Sequence, residues 1–195
     1  MADMQSQQDR IGQLLEASGA ILNGHFLLTS GRHSSVYFEK FRLLEQPQIL
    51  SEICSSIAEY FRPFELTHIA GPTTGGIIIA FEVGRQLGLP SVYVESENGT
   101  KLLRRGKVLP QGARVGLVDD VLTTGVSLME SALAIRNAGG EVAAVGVLID
   151  RSQTSPLDMP YFAAYRAVAE SYAPDEVPEW LAAIPATKPG TRTVA

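Results

Sequence analysis

The sequence predicts an α/β fold: a parallel β-sheet with helices on both faces, and a small hairpin region at the N-terminal end. Strand patterns alternate with helix patterns through the middle of the chain, which is the order that produces parallel sheets. Two of the predicted strands run directly into glycine-containing turns that open helices. The length of 195 residues and the hydrophobic content of 45% suit one domain with its own core, residues 1–195.

The N-terminal region is expected to contain a helix and a hairpin. Residues 8–18 place three apolar side chains on one helical face. Residues 24–29 and 35–38 have the composition of short strands, and the turn residues between them predict that these strands pair. The hairpin forms the small region outside the main sheet.

The rest of the chain follows a strand–helix rhythm. The predicted strands cover residues 67–70, 91–94, 114–118 and 141–149, and the predicted helices cover residues 47–61, residues from 77 to about 87, and residues 126–138. Residues 95–111 lack clear periodicity, so we expect a long loop or a mobile hairpin that turns at Asn98 and Gly99. The tail, residues 161–195, predicts a strand, a short helix near residues 175–184 and an irregular end.

Composition and charge exclude several classes of protein. The net charge of −5 does not favour nucleic acid as a partner. The longest apolar runs are too short to cross a bilayer, and the first ten residues lack the apolar segment of a secretory signal, so we expect a cytoplasmic protein with no membrane partner. One basic cluster spans seven residues inside the 95–111 segment, and it is either an anion-binding site or a solvated face. Its members are Lys101, Arg104, Arg105 and Lys107.

The most informative segment is residues 115–127, where an apolar strand ends in two carboxylates and a polar turn opens a helix. Asp119 and Asp120 can accept hydrogen bonds from vicinal hydroxyls, and the turn can present backbone N–H groups and hydroxyls to a phosphate. Gly125 permits close approach of that phosphate, and the helix adds its positive N-terminal dipole. Simple helix capping would explain one Asp or Thr but not this whole pattern. The segment therefore predicts a phosphoribosyl ligand.

The same segment resembles the signature of the type I phosphoribosyltransferases, and other segments are similar to the orotate phosphoribosyltransferases within that class. The segments that carry the resemblance are residues 26–38, 71–76, 118–127, 148–151 and 184–190, so it spans nearly the whole chain. It implies the type I phosphoribosyltransferase fold with an N-terminal hood-like hairpin. It also implies transfer of ribose 5-phosphate from phosphoribosyl pyrophosphate to orotate, with Mg²⁺, by a homodimer in which a mobile loop completes the partner's site.

The resemblance implies a role for each matching residue. The catalytic candidates are Lys101, Asp119 and Asp120. The residues implied to bind phosphoribosyl pyrophosphate are Thr74, Gly75, Lys101, Arg105, Asp119, Asp120, Val121, Leu122, Thr123, Thr124, Gly125, Val126 and Ser127. Those implied to bind orotate are Tyr37, Phe38, Thr123 and Arg151, although ordinary core packing explains the two aromatic residues equally well. No metal ligand is assigned, because Mg²⁺ would be held mainly by substrate phosphates and water.

The chain also departs from the family pattern. Well-studied members carry lysine where this chain has Thr29 and Gly75. The mobile loop of those members holds an Arg-Lys pair where this chain has Ser96 and Glu97. In this chain that loop also lacks their histidine. A subgroup with a rearranged basic set and a paralogue with altered activity both fit these departures. Transfer to another base, and a non-catalytic sensor of phosphoribosyl pyrophosphate, therefore stay as alternatives.

Overall fold

The computed structural model describes residues 2–28, 30–152, 157–167 and 170–189. A six-stranded sheet forms the centre, with strand order β5-β4-β3-β6-β7-β8. All neighbouring strands in it are parallel except β5, which is antiparallel to β4. Its strands are β3 (His68–Pro72), β4 (Ser91–Glu97), β5 (Thr100–Leu103), β6 (Ala113–Leu122), β7 (Gly140–Asp150) and β8 (Tyr161–Arg166).

Helices cover both faces of this sheet, as predicted. The helices are α1 (Ala2–Ala17), α2 (Lys40–Leu44), α3 (Pro47–Phe61), α4 (Gly75–Leu87), α5 (Val126–Asn137) and α6 (Glu179–Ala182). The cluster on the α3 and α4 face includes Ile57, Ile79 and Val118. The cluster on the α5 face includes Val115, Leu117 and Ile135. Successive residues of β6 thus face opposite layers, which is the ordinary alternation of a strand.

The predicted N-terminal hairpin is confirmed and is longer than expected. It consists of β1 (Ile21–Leu27) and β2 (His33–Phe38), and a short β9 (Ser171–Tyr172) pairs with β2 to make a separate antiparallel sheet. The tail lies beside β1: the amide of Leu27 donates to the Thr187 carbonyl at 2.8 Å, and the Thr187 amide donates to the His25 carbonyl at 2.8 Å. The tail therefore contacts the N-terminal hairpin directly, at β1.

Of the two alternatives for residues 95–111, the hairpin is the one that forms. β4 continues to Glu97, the chain turns at Asn98 (φ 51°) and Gly99 (φ 79°), and β5 returns alongside it. Two positive φ values in a two-residue turn are what a tight hairpin requires, and Asn-Gly adopts them readily.

One predicted boundary is wrong in a way that matters for the site. β6 does not end at Val118 but continues to Leu122, because β7 pairs with it as far as the Leu122–Asp150 pair. β3 pairs with β6 only as far as Leu117. Asp119 and Asp120 thus lie within a strand whose edge on the β3 side is unpaired.

No helix among the described ranges is long and apolar enough to cross a membrane. The cytoplasmic location stays a prediction.

Candidate active site

The paired carboxylates of β6 point to opposite faces of the sheet. Both are buried, with 8% of Asp119 and 6% of Asp120 exposed. Because side chains alternate along a strand, Asp119 faces the α5 layer and Asp120 faces the α4 layer. Both acids therefore lie within β6 and not after its end, and their contact with a ligand stays a prediction.

Asp119 is held by the start of α5. One of its oxygens accepts from the backbone N–H of Asp120 at 2.8 Å, and the other accepts from Ser127 Oγ at 3.4 Å. Burial, with a smaller contribution from the neighbouring Asp120 charge, raises the pKa of Asp119 from 3.8 to about 6. The hydrogen bond from Asp120 and the charges of Lys40 and Lys101 oppose that rise.

Asp120 is held by a lysine from the N-terminal region. Lys40, the first residue of α2, places Nζ 2.7 Å from Asp120 Oδ2. The same oxygen lies above Gly75 at the start of α4, where an added Cβ would be only 2.1 Å away. Gly75 therefore leaves the room that this ion pair occupies.

The turn between β6 and α5 has the geometry that the sequence predicts for a phosphate loop. Gly125 has φ 77°, a left-handed conformation that favours glycine, and α5 begins at the next residue. Thr123 and Thr124 are exposed and reach the cleft. The N–H groups of the first turn of α5 have no partners within the helix and are available to an anion.

A cavity of about 640 Å³ opens beside this turn. It is lined by Leu27, Leu28, Ser30, Tyr37, Phe38, Lys40, Val121, Thr123, Thr124, Arg151, Lys188 and Pro189. The structure thus brings together all four residues that the resemblance implies for orotate. A larger groove of about 890 Å³ between α1 and β8 is lined by neither the phosphate turn nor Arg151, so volume does not identify the site.

Arg151 is the most telling residue of the cavity. Its backbone N–H donates to the Leu122 carbonyl at 2.8 Å, which fixes it beside the end of β6. Its guanidinium carbon lies 5.5 Å from the centre of the Phe38 ring, and burial lowers the pKa of the guanidinium. Its Nε is buried and has no hydrogen-bond partner within the described ranges. A buried guanidinium donor with no partner is costly, and a carboxylate is its natural acceptor.

The hairpin residues take a different place from the one expected. Lys101 Nζ donates to Ser127 O and to Ser127 Oγ, both at 2.7 Å, and to Ser131 Oγ at 3.2 Å. It therefore contacts the first turn of α5 and does not line the cavity. Arg104 pairs with Glu95, and Arg105 is exposed with φ 58°. The catalytic role of Lys101 and the ligand contact of Arg105 stay predictions.

Two cavity lysines were missed by the sequence reading. Lys40 lies two residues beyond the segment 26–38 that the sequence already singled out, and this closeness was the available signal. Lys188 reaches the cavity because the tail pairs with β1. Thr29, one of the departures from the family pattern, lies outside the described residues.

Comparison with known proteins places this geometry in a class. Residues 42–167 match the family model of the phosphoribosyl transferase domain. A solved orotate phosphoribosyltransferase from Aeropyrum pernix superposes with a TM-score of 0.70 and 30% identity, covering 80% of this chain and 93% of that one.

Curated relatives narrow the class. The orotate phosphoribosyltransferase of Pelotomaculum thermopropionicum is 42% identical over 96% of this chain and 99% of its own length. That of Novosphingobium aromaticivorans is 44% identical over 95% of this chain and 97% of its own length. The chain belongs to the orotate phosphoribosyltransferase family, and the type I phosphoribosyltransferase fold is confirmed.

Proposed function

We propose that this protein transfers ribose 5-phosphate from phosphoribosyl pyrophosphate to orotate, giving orotidine 5′-monophosphate and pyrophosphate, a step of pyrimidine nucleotide biosynthesis. The observation that carries the proposal is the buried Nε of Arg151, which lacks a partner in the described ranges and lies in the same cavity as Thr123 and Thr124. One cavity thus contains a cation for a small planar carboxylate and a turn suited to a sugar phosphate.

The phosphoribosyl group fits the β6–α5 turn. The 5-phosphate accepts from the N–H groups and hydroxyls of Thr123 to Ser127 at the positive end of α5. Asp119 and Asp120 accept from the ribose hydroxyls, and Val121 and Leu122 lie between these acids and the turn. Thr74 and Gly75, at the start of α4 on the Asp120 side of β6, are placed to meet the pyrophosphate end.

Orotate fits the end of the cavity that holds Arg151. Its carboxylate pairs with the guanidinium, whose planar fork suits two parallel hydrogen bonds. Tyr37 and Phe38 form an aromatic wall, with the Tyr37 ring 5.7 Å from Phe26 and the Phe38 ring facing Arg151. Thr123 lies between this wall and the phosphate turn, so it borders both substrates.

The reaction needs charge stabilisation more than proton transfer. The bond between C1 and the pyrophosphate oxygen breaks, the bond from C1 to the orotate ring nitrogen forms, and that nitrogen gives up its proton to water or to pyrophosphate. The ribose ring becomes positive, as in glycoside cleavage, and the leaving group gains negative charge. The buried carboxylates stabilise the first of these charges, and cations must stabilise the second.

The donor set fits Mg²⁺ that arrives with the substrate. Within the described ranges no group of three His, Cys, Asp or Glu side chains could hold a metal ion alone. Asp119 and Asp120 would supply carboxylate oxygens next to substrate oxygens and water. The metal would add positive charge at the pyrophosphate.

A homodimer is part of the proposal. The helix α4 leaves Ile78 40% and Phe81 66% exposed, and α2 leaves Phe41 49% exposed. A second copy would bury these apolar side chains. By contrast, Phe26 and Phe38 are each only 7% exposed, so a second copy would bury little more of either ring. Sedimentation of wild type and Phe81→Glu tests the dimer; two identical monomeric profiles would contradict it.

A base panel with pure protein, Mg²⁺ and phosphoribosyl pyrophosphate tests the reaction. We expect turnover of orotate and none of adenine, guanine or uracil. Arg151→Lys keeps a charge but loses the fork, so the KM for orotate should rise by about 10- to 100-fold, with a smaller change in the KM for phosphoribosyl pyrophosphate. Binding without turnover of any base would support the sensor alternative.

A further inference from the structure

Lys40 occupies the junction of three parts of the site. It begins α2 directly after β2, the strand that carries the aromatic wall of the cavity. It lines the cavity together with Thr123 and Thr124. Its Nζ is 2.7 Å from Asp120 Oδ2, and its side chain is 39% exposed. No other described lysine or arginine forms an ion pair with either carboxylate of the pair.

The covalent structure of phosphoribosyl pyrophosphate decides what lies next to this lysine. Its pyrophosphate is attached to C1, and a hydroxyl that the acids bind is attached to C2, the adjacent ring atom. Two carboxylates so close to a leaving group would repel the negative charge that develops on it. A cation that contacts Asp120 is one hydrogen bond away from the ribose and within reach of the pyrophosphate oxygens.

The ammonium group has donors to spare. It carries three N–H donors, and Asp120 is the acceptor that the structure assigns to it within the described ranges. Since the side chain is partly exposed and lines the cavity, N–H donors remain for a ligand bound there. The ring of Phe41 lies 5.7 Å from Nζ on the other side and supports the alkyl chain and its charge.

Gly75 makes this arrangement possible. The Asp120 carboxylate occupies the space where any side chain at this position would begin, with 2.1 Å between the oxygen and an added Cβ. The start of α4 therefore carries no side chain that could deliver a charge here. The cation at this place comes from the N-terminal region instead.

We propose that Lys40 is a catalytic residue that binds the pyrophosphate of phosphoribosyl pyrophosphate while it remains in contact with Asp120, and stabilises that group as it leaves. The inference rests on the proposed function. It adds one assignment: the positive charge on the pyrophosphate side of the ribose comes from the segment after β2.

The experiment separates the two ends of the substrate. Binding of inorganic pyrophosphate and of ribose 5-phosphate, each with Mg²⁺, is measured by calorimetry for wild type, Lys40→Met, Lys40→Arg and Arg62→Met. Arg62 pairs only with Glu59 on the surface beyond α3 in the described ranges, so Arg62→Met removes one positive charge far from the site. Steady-state kcat and KM for phosphoribosyl pyrophosphate are measured on the same samples.

We expect Lys40→Met to weaken pyrophosphate binding by about 10- to 100-fold and to lower kcat by a similar factor, as for loss of one hydrogen bond to a charged group. Ribose 5-phosphate binding should change by less than about threefold, since Asp120 remains available to the hydroxyls. Lys40→Arg should recover part of the pyrophosphate affinity, and Arg62→Met should resemble wild type.

Two outcomes would overturn the assignment. Equal losses for pyrophosphate and ribose 5-phosphate would mean that Lys40 acts only through the position of Asp120. Wild-type affinity for both ligands would remove Lys40 from the site. If Lys40→Met does not fold, Lys40→Gln and Lys40→Arg give the same comparison. The binding measurements need no turnover. The inference about Lys40 can therefore fail while wild type still converts orotate, and it can hold even if wild type converts no base.

Discussion

The two turns that follow β3 and β6 make an instructive comparison, since both open a helix at the same edge of the sheet. The β6–α5 turn is preceded by its own carboxylates and contains a left-handed glycine. The β3–α4 turn has no charge of its own, and its Gly75 is crowded by Asp120. Each turn nevertheless has a lysine beside it: Lys101 comes from the β4–β5 hairpin, and Lys40 from the end of the N-terminal hairpin.

The comparison shows that the acids and the lysines beside these two turns come from different parts of the chain. The acids and the backbone of the turns belong to the strand–helix units themselves, so the fold alone determines their positions. The lysines beside the two turns come from segments remote in sequence: Lys101 from the β4–β5 hairpin and Lys40 from α2, which follows the separate N-terminal sheet. Three changes test this division, starting with the largest expected effect.

Gly75→Ala should be the most damaging. The new Cβ would lie 2.1 Å from Asp120 Oδ2, so the carboxylate must move and its bond to Lys40 is lost. Misplacement of a group that contacts substrate by about 1 Å costs about a hundredfold, and we expect kcat/KM to fall by at least that factor. The matched control is Gly12→Ala, where the added Cβ meets only the Tyr165 ring, at 3.3 Å.

A double-mutant cycle sharpens this result. In a Lys40→Met background Asp120 is free to move, so Gly75→Ala should cost clearly less than it does in wild type. Purely additive losses would show that Gly75 and Lys40 act independently, against the geometry.

The second-largest expected effect is a fall in kcat/KM when the Asp119 carboxylate is protonated. Its pKa is raised to about 6 from 3.8, and in the proposed function the ionised form is the one that accepts from the ribose hydroxyls. Below pH 6 we therefore expect kcat/KM to fall by about tenfold per pH unit. A profile that stays flat down to pH 5 would contradict this role.

The raised pKa of Asp119 also makes the free energy of unfolding depend on pH. Between pH 4 and 6 the folded protein holds a proton that the unfolded chain has lost, so the free energy of unfolding falls as pH rises through that window and does not recover above it. Asp119→Asn should remove this slope and stabilise the protein at pH 7 by roughly 1 to 3 kcal/mol while lowering its activity. Denaturant titrations at several pH values measure it, with exposed Asp158→Asn as the control.

Of the three changes, Lys101→Met should cause the smallest loss of activity. Lys101 Nζ is bonded to Ser127 and Ser131 and its side chain is only 16% exposed, so its removal should destabilise the start of α5 by about 1 kcal/mol. The KM for phosphoribosyl pyrophosphate should rise a few-fold, against an unchanged Arg62→Met. A much larger fall in kcat at unchanged stability would instead place Lys101 on the substrate.

The sequence predicted what is local. The phosphate turn from Asp119 to Ser127 and the Arg151 position follow from strand–helix order and short motifs, and the structure brings them to one edge. The turn at Asn98 and Gly99 was also readable, because its conformational demand is strong. Among these residues, Thr123, Thr124 and Arg151 line one cavity.

What the sequence missed depends on contacts between distant segments. The extension of β6 to Leu122 is set by its pairing with β7, which no local pattern near Val118 reveals. The opposed directions of Asp119 and Asp120 follow from that extension. Lys40 and Lys188 have unremarkable neighbours in sequence, and only the packing of α2 and the pairing of the tail bring them to the cavity.

The pairing of the tail with β1 has a consequence for synthesis. Thr187 bonds to His25 across 162 positions, and Lys188 and Pro189 line the same cavity wall as Leu27 and Leu28. A contact of such long range forms only after nearly all of the intervening chain has left the ribosome. A nascent chain that has already formed its central sheet therefore still lacks the part of the cavity lining that Lys188 and Pro189 supply.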